Sequence, residues 1–481
     1  MSRTRITRTP TLAALLAAAL VLPGDAAAQA YSQLTRPVQA YVSVPETKVA
    51  LTRVQVVDGT GAAPARDQTV VIENGRITAV GPTGSVKVPA GARVLDLPGH
   101  TVIPGLVGLH NHTFYMTSRR RVQSDFTAPR LYLASGVTTI RTTGSFSPYS
   151  ELNLKKAIEA GEAPGPRMFV TGPYITGEGA GGQMYEATTP EEARRVVAYW
   201  TDEGVRWFKF YTLISREAMK AAIDEAHKRG AKFTGHLCSV GFREAVALGI
   251  DNLEHGFLTN SEYTPGKRPD QCPANLGEGL MRVDLDGPEV RETFRDMVAK
   301  NVPMTTTPAV YELYVPGRPP LEARTLEAMS DETRAEYLAT RNRIAENPQY
   351  GTPPELFAKA LAYDLAFVRA GGTLAAGVDP TGMGGALPGF GDQRNYELLL
   401  EGGFTPTEAI RVLTLNGARV LGIDGETGSV EAGKVADLVV IEGDPVTNPA
   451  EIRNVRIVFK DGVGYDSAKL IESVRGQVGI R

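Results

Sequence analysis

Cysteine is scarce in this chain: Cys238 and Cys272 are the only two in 481 residues. A sequence so poor in sulfur is no disulfide-dense scaffold, and its length is ample to bury a core without one. A basic excess is missing too. The formal net charge of −3 argues against nucleic acid or an anionic membrane surface as the main partner and leaves a small-molecule substrate as the expectation. Beyond the N-terminal segment no apolar run is long enough to cross a bilayer. Glycine and proline are spread as loop punctuation, with no collagen-like period and no low-complexity tract. Histidine is rare as well, with six in all, and four of the six turn out to share one pattern.

The N-terminus carries Arg3, Arg5 and Arg8, then an apolar stretch from Leu12 to Leu22, then Pro23 and a small-residue site ending Ala28-Gln29-Ala30. This is the pattern of a secretory signal peptide over residues 1–30, an uncleaved anchor being the alternative. The expected location is therefore secreted or periplasmic, with no membrane association after cleavage. Export makes a disulfide permissible. Cys238 lies two residues past His236 and Cys272 follows His255 in a long loop, so a bridge and two free thiols both stay open at this stage.

Residues 47–103 read as short strands separated by turns, with Asn74-Gly75 between two apolar runs as a tight-hairpin signal. Residues 424–465 repeat that style in Ala436–Ile441 and Val455–Phe459. Each set is too small to bury a face alone, so the two are expected to pair as one composite β-sandwich built from both chain ends. Between them, residues 104–423 alternate apolar strands with amphipathic helices, and Thr189-Pro190-Glu191-Glu192 and Thr405-Pro406-Thr407-Glu408 mark helix starts. Eight strand–helix units can be counted, which predicts an α/β chain with a (β/α)₈ TIM barrel. Two long excursions, near 258–290 and 311–355, are expected over or beside the barrel mouth, where they would shape substrate choice.

Six polar residues fall at or near the ends of these apolar strands: His110, His112, Lys209, His236, His255 and Asp379. Strand ends of a parallel barrel are where barrel enzymes place their chemistry. His110 and His112 are two apart and project to the same side. Lys209 sits in Trp207-Phe208-Lys209-Phe210-Tyr211, where burial disfavours its charge, so it must be paired, neutral or a ligand. A neutral lysine amine reacts with carbon dioxide to give a carbamate, whose two oxygens can bridge two cations; a salt-bridged structural lysine beside a single metal is the other possibility. His100, after a turn, and His227, on a charged helix, are expected to be ordinary surface residues.

With these residues in place the chain resembles the metal-dependent amidohydrolase superfamily, in the branch similar to imidazolonepropionase and Xaa-Pro dipeptidase. The resemblance rests on Pro104–His112, on Glu254-His255-Gly256, on Gly377-Val378-Asp379-Pro380, and on the tail from Gly428 to Val440. It implies that His110, His112 and Asp379 hold one metal, that His236 and His255 hold the other, and that Lys209, carboxylated by CO₂, bridges them. It further implies a bridging hydroxide as nucleophile and Asp379 as the catalytic residue that passes its proton to the leaving group. The donor set suits two divalent ions, Zn²⁺ first, with Mn²⁺ or Co²⁺ admitted.

Two departures stand out. The second barrel strand ends Arg141-Thr142-Thr143-Gly144, where relatives often carry an aspartate after the arginine, and the loop Gly177–Gln183 lacks the histidine many peptidase-like relatives place after paired glycines. Gln183 is a candidate to replace it. Tyr211 either hydrogen bonds a substrate carbonyl or packs, and Arg141 either pairs with a substrate carboxylate or is structural. The expected activity is hydrolysis of amide bonds of peptide or N-acyl amino acid type. Ester, lactone or cyclic-amide hydrolysis on the same site is one rival and a non-catalytic metal-bearing binding protein another, with homo-oligomerisation left open.

Overall fold

The computed structural model describes residues 30–480. The signal-peptide segment therefore lies, apart from Ala30, outside the described residues. Eight parallel strands follow one another in chain order: Leu106–Asn111, Val137–Thr142, Arg167–Phe169 continued by Thr171–Thr176, Trp207–Phe210, Lys232–Gly235, Leu253–Glu254, Met304–Thr306 and Leu374–Ala376. Each pairs with its chain neighbour within three hydrogen-bonded arcs. Asp251 and Asn252 N–H donate to Phe233 O between the second and third arcs, and Asp379 N–H donates to His110 O between the last strand and the first. Helices such as Pro190–Asp202, Arg216–Lys228, Pro288–Ala299 and Pro354–Arg369 separate the strands, giving a TIM-barrel-like α/β fold.

Local chemistry accounts for these elements. Thr189 and Thr405 each accept from the backbone of the glutamate three residues on, Glu192 and Glu408, whose carboxylates return the bond, and a proline opens each helix. The lysine-bearing strand is anchored by its neighbours in sequence. Phe208 and Phe210 turn away from Lys209 and stack on Phe233 of the next strand, with centroids 5.3 and 4.0 Å apart, and all three rings are buried. Each ring contributes about 2–3 kcal/mol of burial, with ~1 kcal/mol more from stacking. That packing fixes which face Lys209 presents.

The strands from the two chain ends meet in one nine-stranded sheet. The strands of the expected composite domain are hydrogen bonded through one another, and the sheet forks at strand Lys48–Val56. The first half of that strand pairs with Arg93–Asp96 and its last residues with His100–Pro104. The physical reason is a kink at Arg53, whose φ of 58° interrupts the register between Leu51 and Val54. Strand Leu438–Glu442 lies antiparallel to His100–Pro104, with Ile441 opposite Thr101. The Asn74-Gly75 turn has both residues at positive φ, 51° and 81°, as a tight hairpin of right-handed twist demands.

The two long excursions are partly helical. The first carries Leu276–Arg282, the second Ala323–Ala328 and Asp331–Glu346. Both contribute wall residues to the cavity described next. No helix among the described residues is long and apolar enough to cross a membrane.

Candidate metal centre

The C-terminal ends of the parallel strands converge on one cluster. His110 ends the first strand's inward face, and its Nε2 accepts from Lys209 Nζ at 2.9 Å and lies 3.6 Å from Asp379 Oδ2. His112 Nε2 is 3.4 Å from Asp379 Oδ1, and His255 Nδ1 is 4.0 Å from Asp379 Oδ2. The His236 and His255 rings approach to 4.4 Å, as do those of His110 and His255. His110, His255 and Asp379 each offer a ligand atom within 4.8 Å of the others. All six candidate ligands of the sequence are thus brought together, while His100 and His227 stand apart, His227 paired with Asp251 at 2.9 Å.

Backbone geometry explains how residues just past the strand ends reach inward. His255 and Asp379 both adopt the left-handed region, with φ of 66° and 47°, a conformation that non-glycine residues keep only where surroundings impose it. At His255 it breaks the strand's alternation, so that Glu254 and His255, adjacent in sequence, both face the centre. Gly377 lets the last strand lie against the first, since a Cβ there would collide with the His110 backbone. Tyr132, from helix Thr127–Ala134, clamps His112 by accepting from its N–H at 3.1 Å and donating to its carbonyl at 2.9 Å.

Electrostatics sets the protonation states. Burial lowers the pKa of all four imidazoles, His236 to about 3 and His110 and His255 well below the usual range. They are therefore neutral, the form that binds metal. Burial also takes Lys209 down to about 8, against the pull of Asp379 and Glu254. Burial alone would raise Asp379, but His110, His112 and Lys209 override it and hold the carboxyl below the ordinary range.

The residues fit a metal on two further counts. His255 Nδ1 donates to Thr307 Oγ1 at 2.7 Å while its Nε2 is buried with no hydrogen-bond partner; a buried imidazole nitrogen without a partner is costly unless a cation takes its lone pair. His110 Nδ1 donates to Glu254 Oε2 at 2.7 Å, the carboxylate–histidine arrangement that orients a metal-binding ring.

Arg141 and Gln183, also candidates for the substrate side, are not among the described residues that line the cavity above the cluster. The Arg141 guanidinium donates to Leu109 O at 2.9 Å and to Glu254 Oε1, lies over Trp207, and is wholly buried beneath the cluster, where it neutralises Glu254. Gln183 is exposed on its loop and accepts from Arg121. Tyr211 does line the cavity above the cluster, a space of about 750 Å³ that also takes in Tyr174, Tyr311, Tyr314, Phe146 and Met184. Cys238 and Cys272, disulfide-bonded with Cα atoms 4.9 Å apart, form part of the same wall. Sequence reasoning gave no role to Glu254, Thr307, Tyr132, Tyr174, Tyr311 or Tyr314. Glu254 was visible in its motif, but alternation assigns it to the face opposite His255.

Comparison with known proteins gives the chain's family. Among curated sequences, a dihydroorotase from Pelotomaculum thermopropionicum is 25% identical over 410 residues, 80% of this chain and 86% of that protein. An imidazolonepropionase from Stenotrophomonas maltophilia is 25% identical over 234 residues, covering 46% of this chain and 53%, about half, of that relative's length. Among solved structures, a putative prolidase from Bifidobacterium longum superposes with a TM-score of 0.65 at 27% identity, covering 89% of this chain and 98% of the other. A Xaa-Pro dipeptidase with methionine in its active site shares the fold, with a TM-score of 0.63 at 20% identity over 87% of this chain and all of the other. The Amidohydrolase family model matches residues 101–464, the whole span from the strand before His110 to the last strands of the composite sheet, and the chain belongs to that family, as a metal-dependent hydrolase acting on carbon–nitrogen bonds.

Proposed function

We propose that the protein is an exported hydrolase that holds two divalent cations and cleaves amide bonds of peptide or N-acyl amino acid type. The observation that carries this reading is the convergence of four neutral imidazoles, Lys209 and Asp379 at one end of the parallel strands, with His255 Nε2 buried and unpartnered. His110, His112 and Asp379 would hold one ion, His236 and His255 the other, and Lys209, as its carbamate, both. When bound, the ions supply an activated water and polarise the scissile carbonyl. Two links between the arcs, Asp251 N–H to Phe233 O and Asp379 N–H to His110 O, support closure of the eight strands into one barrel. Export is supported by the N-terminal pattern and by the disulfide.

The chain's own part is positioning and proton transfer. Water adds to the carbonyl carbon as the carbon–nitrogen bond breaks; Asp379 takes the proton that water gives up and delivers it to the leaving nitrogen. Thr381 Oγ1 donates to Asp379 Oδ1 at 3.0 Å, which fixes the orientation of the carboxylate for that transfer. Burial holds Tyr174, Tyr211 and Tyr311 above the usual phenol range, so they stay protonated and serve as donors to substrate oxygen.

Metal analysis combined with a panel of amides, esters and lactones tests the reading. The expected result is two metals per chain and turnover on amides, with Lys209→Ala losing at least one metal and most activity, partly restored by short carboxylates. Two metals and full activity in Lys209→Ala refute the bridging role, and turnover confined to esters or lactones refutes the amidase assignment.

A further inference from the structure

Five aromatic rings surround the cavity above the cluster: Phe146, Tyr174, Tyr211, Tyr311 and Tyr314. They are braced against one another and against the ligand histidines. Phe146 and Tyr174 lie 4.8 Å apart, Tyr174 and Tyr211 meet edge to face at 5.5 Å, and Tyr311 meets His255 edge to face at 5.5 Å. Rings held this way are already in place for a ring brought by a ligand, which gains offset or edge contacts without reordering the wall. Met184 adds a polarisable thioether to the same wall. The volume, about 750 Å³, is that of sites for ligands larger than a single small residue.

Charge is distributed in the opposite way. Among the described residues that line the cavity, Lys209 and Asp379 are the charged side chains, and both belong to the ligand set. Arginines near the mouth are engaged elsewhere. Arg120 bonds Glu332 and Glu336, whereas Arg121 packs its guanidinium 3.6 Å from the Phe146 centroid and donates to Gly182 O and Gln183 Oε1. Away from Phe146 and Tyr174, which Arg121 neighbours, an anionic group held against Tyr211, Tyr311 or Tyr314 would lose its water and gain no counter-charge there.

We propose that the group this cavity accepts beside the scissile bond is uncharged and aromatic. The proposal rests on the hydrolase reading and narrows its substrates: an amide bearing an aryl or arylalkyl group is favoured over a peptide that presents a free carboxylate to the wall.

Calorimetric titration of the metal-loaded protein with benzamide, cyclohexanecarboxamide and 4-sulfobenzamide tests this without depending on turnover; the sulfonate is a poor metal ligand, so it reports on the wall. Benzamide is expected to bind about fivefold or more tighter than cyclohexanecarboxamide, and about tenfold or more tighter than 4-sulfobenzamide. Phe146→Leu and Tyr314→Leu should bring the first ratio towards one at unchanged metal content, which controls for folding. Equal or tighter binding of either comparison ligand to the unmodified protein overturns the proposal, as does failure of all three to bind. Failure of the hydrolase reading looks different: no amide is turned over, while the binding order, and with it the aromatic site, stands.

Discussion

Glu254→Gln is a nearly isosteric change that should damage the metal site through a histidine it never lets go. Glu254 Oε1 accepts from Arg141 Nη2, from Thr234 Oγ1 and from Asn252 Nδ2, while Oε2 faces His110 Nδ1 alone. Three donors on one oxygen decide the orientation of a glutamine in its place: the amide oxygen takes the Oε1 position and the amide nitrogen turns to His110. His110 Nδ1 must then accept, which moves the ring proton to Nε2, the nitrogen that faces Lys209 and Asp379. That proton blocks ligation. Loss of such a partner costs about 10- to 100-fold in metal affinity, ~1.4–2.8 kcal/mol, and the forced tautomer places the change at the upper end. Stability suffers as well, because Arg141 is wholly buried and loses its counter-charge; removing one member of a buried pair costs about 3 kcal/mol or more. Chelator competition with metal quantified by mass spectrometry measures the first effect, and thermal unfolding of the metal-free protein the second. Metal affinity within twofold of the unmodified protein would refute the tautomer argument, whatever happens to stability.

Three further outcomes are expected. Asp379→Asn should lower kcat far more than it raises KM, since the lost proton transfer belongs to the transition state, and steady-state kinetics at saturating metal reads the split. The Cys238–Cys272 bridge closes a span of 34 residues and should stabilise by ~4 kcal/mol on chain-entropy grounds; because it forms part of the cavity wall, a Cys272→Ser variant should raise KM at temperatures where circular dichroism still reports a folded chain. Glu151 is buried, and burial raises its carboxyl to about 8 from an ordinary value near 4.5. The folded chain therefore keeps a proton that the unfolded chain releases, and stability falls as pH rises through that window by up to ~1.4 kcal/mol per unit. Glu151→Gln should gain in melting temperature relative to the unmodified protein at pH 8 and gain little at pH 5; equal differences at both would refute the assignment.

The ligand set was legible because its signals are local. His-x-His on a strand, a lysine flanked by Phe208 and Phe210, and polar residues closing apolar runs each read from a few neighbouring residues. What escaped depends on long-range or irregular geometry. Strict alternation would turn Glu254 away from the centre, and only the left-handed turn at His255 brings both inward. Arg141 belongs to the interior because Glu254, 113 residues on, meets it there, a pairing no local pattern reveals. Tyr311 and Tyr314 were hidden in an excursion whose place at the mouth could be argued but whose individual side chains could not. The composite sheet followed from counting strands too few to stand alone, while its fork at Lys48–Val56 required the kink at Arg53.

The pairing of Leu438–Glu442 with His100–Pro104 also bears on the order of folding. Strand His100–Pro104 runs, through Gly105, straight into the strand Leu106–Asn111 that carries His110. Its antiparallel partner is synthesised much later, so an emerging polypeptide carries the first histidine pair for more than three hundred residues before that edge can be covered. Contacts of such sequence separation form slowly. The complete site therefore assembles late, and a fragment ending before residue 436 should retain strands and helices yet leave the strand leading into His110 with an unpaired edge.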